Sequence, residues 1–98
     1  MKLTFKKEQT NDKWFRSFTQ IKLNKKQVGI ITPPGRFSKE LVWTIRFMIK
    51  KTPDKNDPAP FCLVKLKYKA SSDEDAREFI RKNNDTIQEK YNLFLEEN

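Results

Sequence analysis

The chain contains no histidine and only one cysteine, Cys62, in 98 residues. Without histidine it lacks the commonest general base and the commonest transition-metal ligand. A single cysteine cannot close an intramolecular disulfide, and with no histidine beside it no ordinary zinc site can be assembled. A lone thiol suits a reducing compartment, and the expected location is the cytoplasm of a bacterial cell. Cys62 stands in an apolar alternation, so it is expected as a small buried hydrophobe, not an activated thiol.

Glycine is nearly as scarce. Gly29 and Gly35 are the only two, and they bracket the run GIITPPGR at 29–36. This is not a phosphate-binding loop, because Gly35 is not followed by Lys-Ser/Thr. A dinucleotide fingerprint would need three glycines. Carboxylates are also few in the first part of the chain. Asp54 and Asp57 lie in a proline-rich stretch, and Asp73, Glu74 and Asp75 open a helical pattern, so both groups read as solvation and capping and not as metal ligands. No apolar run approaches the ~20 residues that span a bilayer, and no early stretch reads as a signal peptide. These absences predict a non-enzymatic chain with no cofactor, no metal, no small-molecule substrate and no membrane partner.

What is abundant is positive charge, and it is unevenly placed. Net charge is +8. Residues 1–70 hold 17 Lys and Arg against 5 acids, a balance of +12, whereas residues 71–98 hold 4 against 8, a balance of −4. A basic body with an acidic closing element points to a polyanionic partner; its plainer reading is a solvated surface. Phenylalanine is plentiful, with 8 residues, and supplies enough apolar area for one modest core.

The hydrophobic pattern predicts a single domain, with an antiparallel sheet over 1–70 and one helix over 71–96. Residues 2–7 alternate as a short edge strand guarded by lysines. Residues 13–23 are aromatic and β-rich, but Trp14 and Phe18 fall on one parity and Phe15, Ile21 and Leu23 on the other. A β-bulge near Ser17 would reconcile them; otherwise the strand carries aromatics on both faces. Asn24-Lys25-Lys26 is a tight hairpin turn. Residues 27–32 form the next strand, with Val28 and Ile30 on one face. Pro34-Gly35 suits the centre of a type II turn. In 41–50, Leu41, Trp43, Ile45, Phe47 and Ile49 share the core parity. Residues 51–60 hold three prolines and read as an irregular loop, a candidate wing. In 61–69, Cys62, Val64, Leu66 and Tyr68 face the core and Lys65, Lys67 and Lys69 face away.

Ser71 with Glu74 fits a capping box. Ala76, Phe79, Ile80, Asn83, Ile87, Tyr91 and Phe94 then recur at helical spacing, with Asn83-Asn84 as the weak point. The fold class is therefore α+β, an antiparallel β-meander of five strands, or four, with one C-terminal helix packed on one face.

That arrangement leaves the other sheet face open. It carries Arg46, Lys50, Lys65, Lys67 and Lys69, with Val42, Met48, Phe61 and Leu63 between them. The register of 13–23 decides whether Arg16 joins it with Trp14 and Phe18, or whether Ser17 and Thr19 do. Lys25 and Lys26 extend the basic path at a turn. Cations interleaved with flat apolar surface suit a single strand of nucleic acid, phosphates on cations and bases on aromatics. The order of strands followed by one helix also resembles several single-strand-binding modules over roughly the last two thirds of the chain. The resemblance implies two sheets pairing as a dimer to form the binding channel.

The leading expectation is thus a small basic accessory protein, of phage or bacterial origin, that binds nucleic acid as a homo-oligomer, with a dimer favoured. The expected contacts are Arg16, Lys25, Lys26, Arg46, Lys50, Lys65, Lys67 and Lys69. An exposed patch of this kind equally suits a protein partner, which would make the chain an inhibitor or adaptor. A third role is a minor structural protein.

Overall fold

The computed structural model describes residues 2–9, 17–35 and 37–93. Five strands run in chain order: β1 (Thr4–Gln9), β2 (Ser17–Leu23), β3 (Lys26–Thr32), β4 (Thr44–Lys50) and β5 (Phe61–Lys65). They form one antiparallel sheet whose spatial order equals their sequence order. Two short helices follow, α1 (Asp73–Lys82) and α2 (Asn84–Lys90), where one helix over 71–96 was expected. Trp14 and Arg16, whose placement hung on the register of β2, and Phe94 of the helical stripe, lie outside the described residues.

Parity sorts the sheet into two faces. Ile21, Ile31, Ile45 and Phe47 are fully buried on the face that also packs Ala76, Ile80 and Ile87 from the helices. Thr19 shares that face, while Phe18 is paired with Glu8 on the other. The expected bulge near Ser17 is absent from the described residues. The register instead shifts between Ile21 and Lys22, where Gly29 and Gln27 are the partners and Val28 is the extra residue on β3. The insertion separates Val28 from Ile30. Val28 and Ile31 enter the core, and Ile30 lies opposite Arg46 on the open face.

Gly29 sits beside this bulge, between Ile21 on β2 and Phe47 on β4. A Cβ there would lie 2.6 Å from the Arg46 carbonyl oxygen and 2.9 Å from Phe47 Cδ1. Backbone cannot yield as a flexible side chain can, so glycine is required by close approach. Its φ is not positive. Gly35 also lacks a positive φ, so the expected type II turn does not form. Ser38 N–H instead bonds the Gly35 carbonyl at 3.0 Å. The β2–β3 hairpin does use the left-handed region: Asn24 (φ 54°) and Lys25 (φ 66°) make a two-residue turn that matches the twist of the strands.

Beyond the bulge β3 no longer pairs with β4, and the chain after α2 takes its place. Lys50 N–H bonds the Asn92 carbonyl at 2.8 Å, and Leu93 bridges Ile49. Asn83 is where the helix breaks. Its backbone N–H and its side-chain Nδ2 both donate to the Phe79 carbonyl, at 3.1 and 2.8 Å. A side chain competing for a helical acceptor ends the helix. Asn84 Oδ1 then accepts from Leu3 N–H at 2.9 Å, which ties the break to the N-terminal segment. The N-cap is Ser72, one residue later than expected, and it accepts from Asp75 N–H at 3.0 Å.

Helix α1 is anchored on β1 and β2 by polar contacts as well as by its apolar stripe. Thr19 Oγ1, which is buried, donates to Asp73 Oδ1 at 2.7 Å, and Arg77 Nε lies 2.8 Å from Asp73 Oδ2. The guanidinium groups of Arg77 and Arg81 both stand over the Phe5 ring, at 5.5 and 5.4 Å.

Two further expectations change. Cys62 is exposed, because β5 is an edge strand that contributes no buried residue to the core. The 51–60 loop is organised, not a loose wing. Asp54 Oδ1 accepts from the N–H groups of Asn56 and Asp57, both at 2.8 Å, and Lys51 N–H closes the loop on the Pro60 carbonyl. Lys51 pairs with Asp57 and holds that carboxyl below its ordinary range.

The close packing at Gly29 makes a prediction. Gly29→Ala forces the added methyl against the Arg46 carbonyl, and stability should fall by about 1–3 kcal/mol, the usual cost of overpacking. Denaturant unfolding monitored by circular dichroism measures it, and an unchanged midpoint would contradict the contact.

Candidate nucleic-acid interface

The open face is hollow over β3–β5. The hollow follows from how the chain leaves β5. Arg46 is paired with Lys65, and the next pairing joins Trp43 to Ala70. Two residues, 44–45, therefore face four, 66–69. Leu66 still donates its N–H to the Ile45 carbonyl at 2.9 Å, so the surplus bows away from the ladder beyond it. Pro33, Pro34, Gly35, Ser38 and Glu40 form the facing wall. Between them lies a groove of about 890 Å³, within the size range of ligand sites.

Four of the eight expected contacts line this groove: Arg46, Lys65, Lys67 and Lys69. Arg46 and Lys65 lie directly opposite each other on adjacent strands. Like charges so placed destabilise a sheet. Arg46 Nη1 donates to Thr32 Oγ1 at 3.1 Å, which orients its guanidinium along the face. Among the described residues, no carboxylate pairs with Arg46, Lys65 or Lys67. Lys69 Nζ stands 3.6 Å from Glu40 Oε2, with both side chains 69% exposed, and a pair that exposed contributes little. Four cations thus face one carboxylate across the groove, and its floor is aliphatic, built from Ile30, Val42 and Leu63.

The remaining expected contacts are elsewhere. Lys25 and Lys26 are at the β2–β3 turn, and Lys50 ends β4 opposite Phe61. Antiparallel register puts all three towards the other end of the sheet, with Lys50 four residues from Arg46 along β4, about 13 Å away. Arg16 lies outside the described residues. The expected interleaving of cations with aromatics is also not formed along the groove. Phe18 lies on β2, and Phe61 pairs with Lys50 at the far end.

Tyr68 is the one aromatic lining the groove among the described residues, and it is already committed. Its ring stacks on Phe79 at 4.0 Å with 8° between planes, and its hydroxyl donates to Asp75 Oδ1 at 2.9 Å. Asp75 also accepts from Ser71 N–H at 2.9 Å. These contacts fasten the bowed strand to the start of α1 and so fix the groove wall. Sequence reading placed Lys65, Lys67 and Lys69 in a row but missed the facing wall that Pro33 and Pro34 open. Its signal was the Pro33-Pro34 pair, which cannot continue a strand ladder.

Among the described residues, no three His, Cys, Asp or Glu side chains are grouped to hold a metal ion, and no helix is long and apolar enough to cross a membrane. No protein-family model, curated protein or solved structure matches the chain.

The Tyr68–Asp75 clasp has a pH signature. The Ser71 N–H and the Tyr68 hydroxyl hold the Asp75 carboxyl below its ordinary 3.8, and the same bond to Asp75 raises the Tyr68 hydroxyl above its ordinary 10.0. A depressed carboxyl stabilises the fold fully above its unfolded value and ceases to do so as pH falls through the folded value. The raised phenol contributes below its unfolded value and is lost as pH rises through the folded one. Asp75→Asn should therefore lower stability at about pH 7 and narrow the loss of stability between about pH 4 and pH 2. Urea unfolding across that range checks it, and an identical pH slope in the variant would refute the clasp.

Proposed function

We propose that this protein is a non-enzymatic nucleic-acid-binding protein whose β3–β5 groove takes a single strand. The observation that carries this reading is the Arg46–Lys65 pair, two opposed cations with Lys67 and Lys69 beside them and no carboxylate paired with Arg46, Lys65 or Lys67 among the described residues. A phosphate between such groups turns a repulsion into two attractions. The shape favours a strand over a duplex. Duplex readers insert a helix or a β-ribbon into a groove of the nucleic acid, whereas these basic side chains line a hollow on the protein. The Arg46 guanidinium, held by Thr32, presents the fork that matches a phosphate, and the lysines act as point charges along the track.

In this reading the protein works as a dimer. β5 ends the sheet, and Phe61–Val64 carry no charge to protect the edge, in contrast to β1 with Lys6, Lys7 and Glu8. An apolar edge of that kind recruits another strand. Light scattering should give twice the mass of the chain, and a monomer at all concentrations would remove this part of the proposal.

Fluorescence anisotropy with single- and double-stranded oligonucleotides tests the binding itself. The single strand should bind at ~50 mM salt and weaken steeply by ~200 mM. No binding at the lower salt sinks the proposal. Lys65→Glu with Lys67→Glu should reduce affinity roughly tenfold or more while the fold is kept, since both side chains are exposed. Lys25→Glu with Lys26→Glu changes net charge equally at the far end. At ~150 mM salt, with a screening length of about 8 Å, that second pair should cost far less. Equal losses would mean that total charge matters and the groove does not.

A further inference from the structure

We propose that β5 pairs with β5 of a second copy in one antiparallel register, and that the partner's Lys50 thereby completes the basic groove; this rests on the reading of the groove given above. The edge of β5 is laid out for such pairing. Lys51 N–H bonds the Pro60 carbonyl at 3.0 Å, and Leu66 N–H bonds the Ile45 carbonyl at 2.9 Å. Both bonds belong to the ladder that sets Arg46 opposite Lys65 and Lys50 opposite Phe61. Backbone groups alternate in direction along an antiparallel strand. Those of Cys62 and Val64 therefore turn towards β4, and those of Leu63 and Lys65 turn outward. Leu63 is 55% exposed, and Cys62 and Lys65 are exposed beside it. Among the described residues, no strand pairs with that side of β5. The other edge of the sheet, β1, carries Lys6, Lys7 and Glu8, which disfavour an open chain of copies joined β5 to β1.

The backbone and the charges together select the axis. Outward groups must meet outward groups, so odd-numbered residues of the two copies face each other as hydrogen-bonded pairs. A two-fold axis at Cys62 would draw Ala59 into the ladder, but its N–H already bonds Asp57 Oδ1. An axis at Val64 would set Lys65 diagonal to the partner's Lys65, about 7–8 Å apart. An axis at Leu63 uses the whole five-residue strand and avoids both. Lys65 then faces the partner's Phe61 and stands about 13 Å along the strand from the level of the partner's Lys65. Cross-strand neighbours share a face, so one row of the joined open face reads Arg46, Lys65, the partner's Phe61 and the partner's Lys50. Two strand spacings, about 10 Å, separate Lys65 from the partner's Lys50, closer than Lys50 of its own chain. Pairing thus makes the far end of one β4 the continuation of the other copy's groove, and the two grooves become one track.

Disulfide trapping tests the register. Val64→Cys places a thiol opposite the partner's Cys62 in a non-hydrogen-bonded pair, where the backbones lie closest. With oxidised glutathione it should give a covalent dimer on a non-reducing gel. Wild type should not, because Cys62 is diagonal to the partner's Cys62, and neither should Val64→Cys with Cys62→Ser. Leu63→Cys with Cys62→Ser should link to its own copy and checks the same axis with a second variant. Failure of both expected links overturns the pairing. A mixed dimer of wild type with Val64→Cys/Cys62→Ser then tests the shared site, using anisotropy with a strand of about 6 nucleotides. Lys65→Glu in one copy and Lys50→Glu in the other damage one site and spare its twin. The same two substitutions in one copy damage both sites at equal total charge. The first arrangement should bind within about twofold of the unsubstituted dimer, and the second should lose about tenfold. The reverse order would assign Lys50 to its own groove, and equal losses would assign the effect to total charge; either overturns the proposal. If the covalent dimer forms but binds no strand at ~50 mM salt, the groove reading has failed and the shared site with it, while the pairing stands.

Discussion

The approach of β3 to β4 at Gly29 governs the rest of the sheet. With no side chain at 29, the backbone comes close enough that Phe47 packs directly over it, and Phe47 is one of the largest fully buried side chains. The bulge at Val28 follows immediately. Past it β3 turns with β2, and the freed side of β4 is closed by Asn92 and Leu93. The same contact sets Arg46 opposite Ile30 on one side and opposite Lys65 on the other. The core and the candidate site therefore share one register. A slip of one residue in β4 would expose Phe47 and bury Arg46 together.

The basic groove is a consequence of irregularity. A regular ladder between β4 and the chain beyond β5 would have laid Lys65, Lys67 and Lys69 along a flat edge, each surrounded by water. The surplus residues at 66–69 bow that edge out of the ladder, across from Pro33, Pro34, Ser38 and Glu40, and the Tyr68–Asp75 bond holds the bow against α1. Field lines from several cations across a concave surface reinforce one another, as they do not on a flat one. The acidic start of α1 serves the packing of the helix. Asp73 and Asp75 are used in docking the helix, to Thr19 and Arg77 and to Ser71 and Tyr68.

Much of the sheet was legible because strands report their faces through a period of two. Trp43, Ile45, Phe47 and Ile49 identified the core side of the segment, although Leu41, read on the same parity, precedes β4 and is 81% exposed, and Lys65, Lys67 and Lys69 fell on the other side of theirs. The helical stripe was legible for a similar reason, and the Asn83-Asn84 pair marked the place where it breaks. The bulge was not, because the sequence signal was sought among the aromatics of 13–23 while the extra residue is an ordinary valine on the next strand. Nor was the exposure of Cys62. Alternation says which way a residue points, not whether anything covers it, and β5 lies at the edge. The groove depended on counting residues between two pairings far apart in the chain, a quantity that local pattern does not contain.

The sequence by itself determined the composition of the molecule and the placement of its charge along the chain. The absence of histidine, the two glycines and the segregation of charge near Ala70 all follow from composition and order, and no packing alters them. Parity and helical spacing determined which side chains seek the core, since burying apolar area drives the fold whatever the topology. Only the tertiary structure decided which cations meet. Eight basic residues looked equivalent along the chain. Antiparallel register brought Arg46, Lys65, Lys67 and Lys69 to one hollow and sent Lys25, Lys26 and Lys50 to the opposite end. Electrostatic potential depends on distance in space, and the sheet, not the chain, sets that distance.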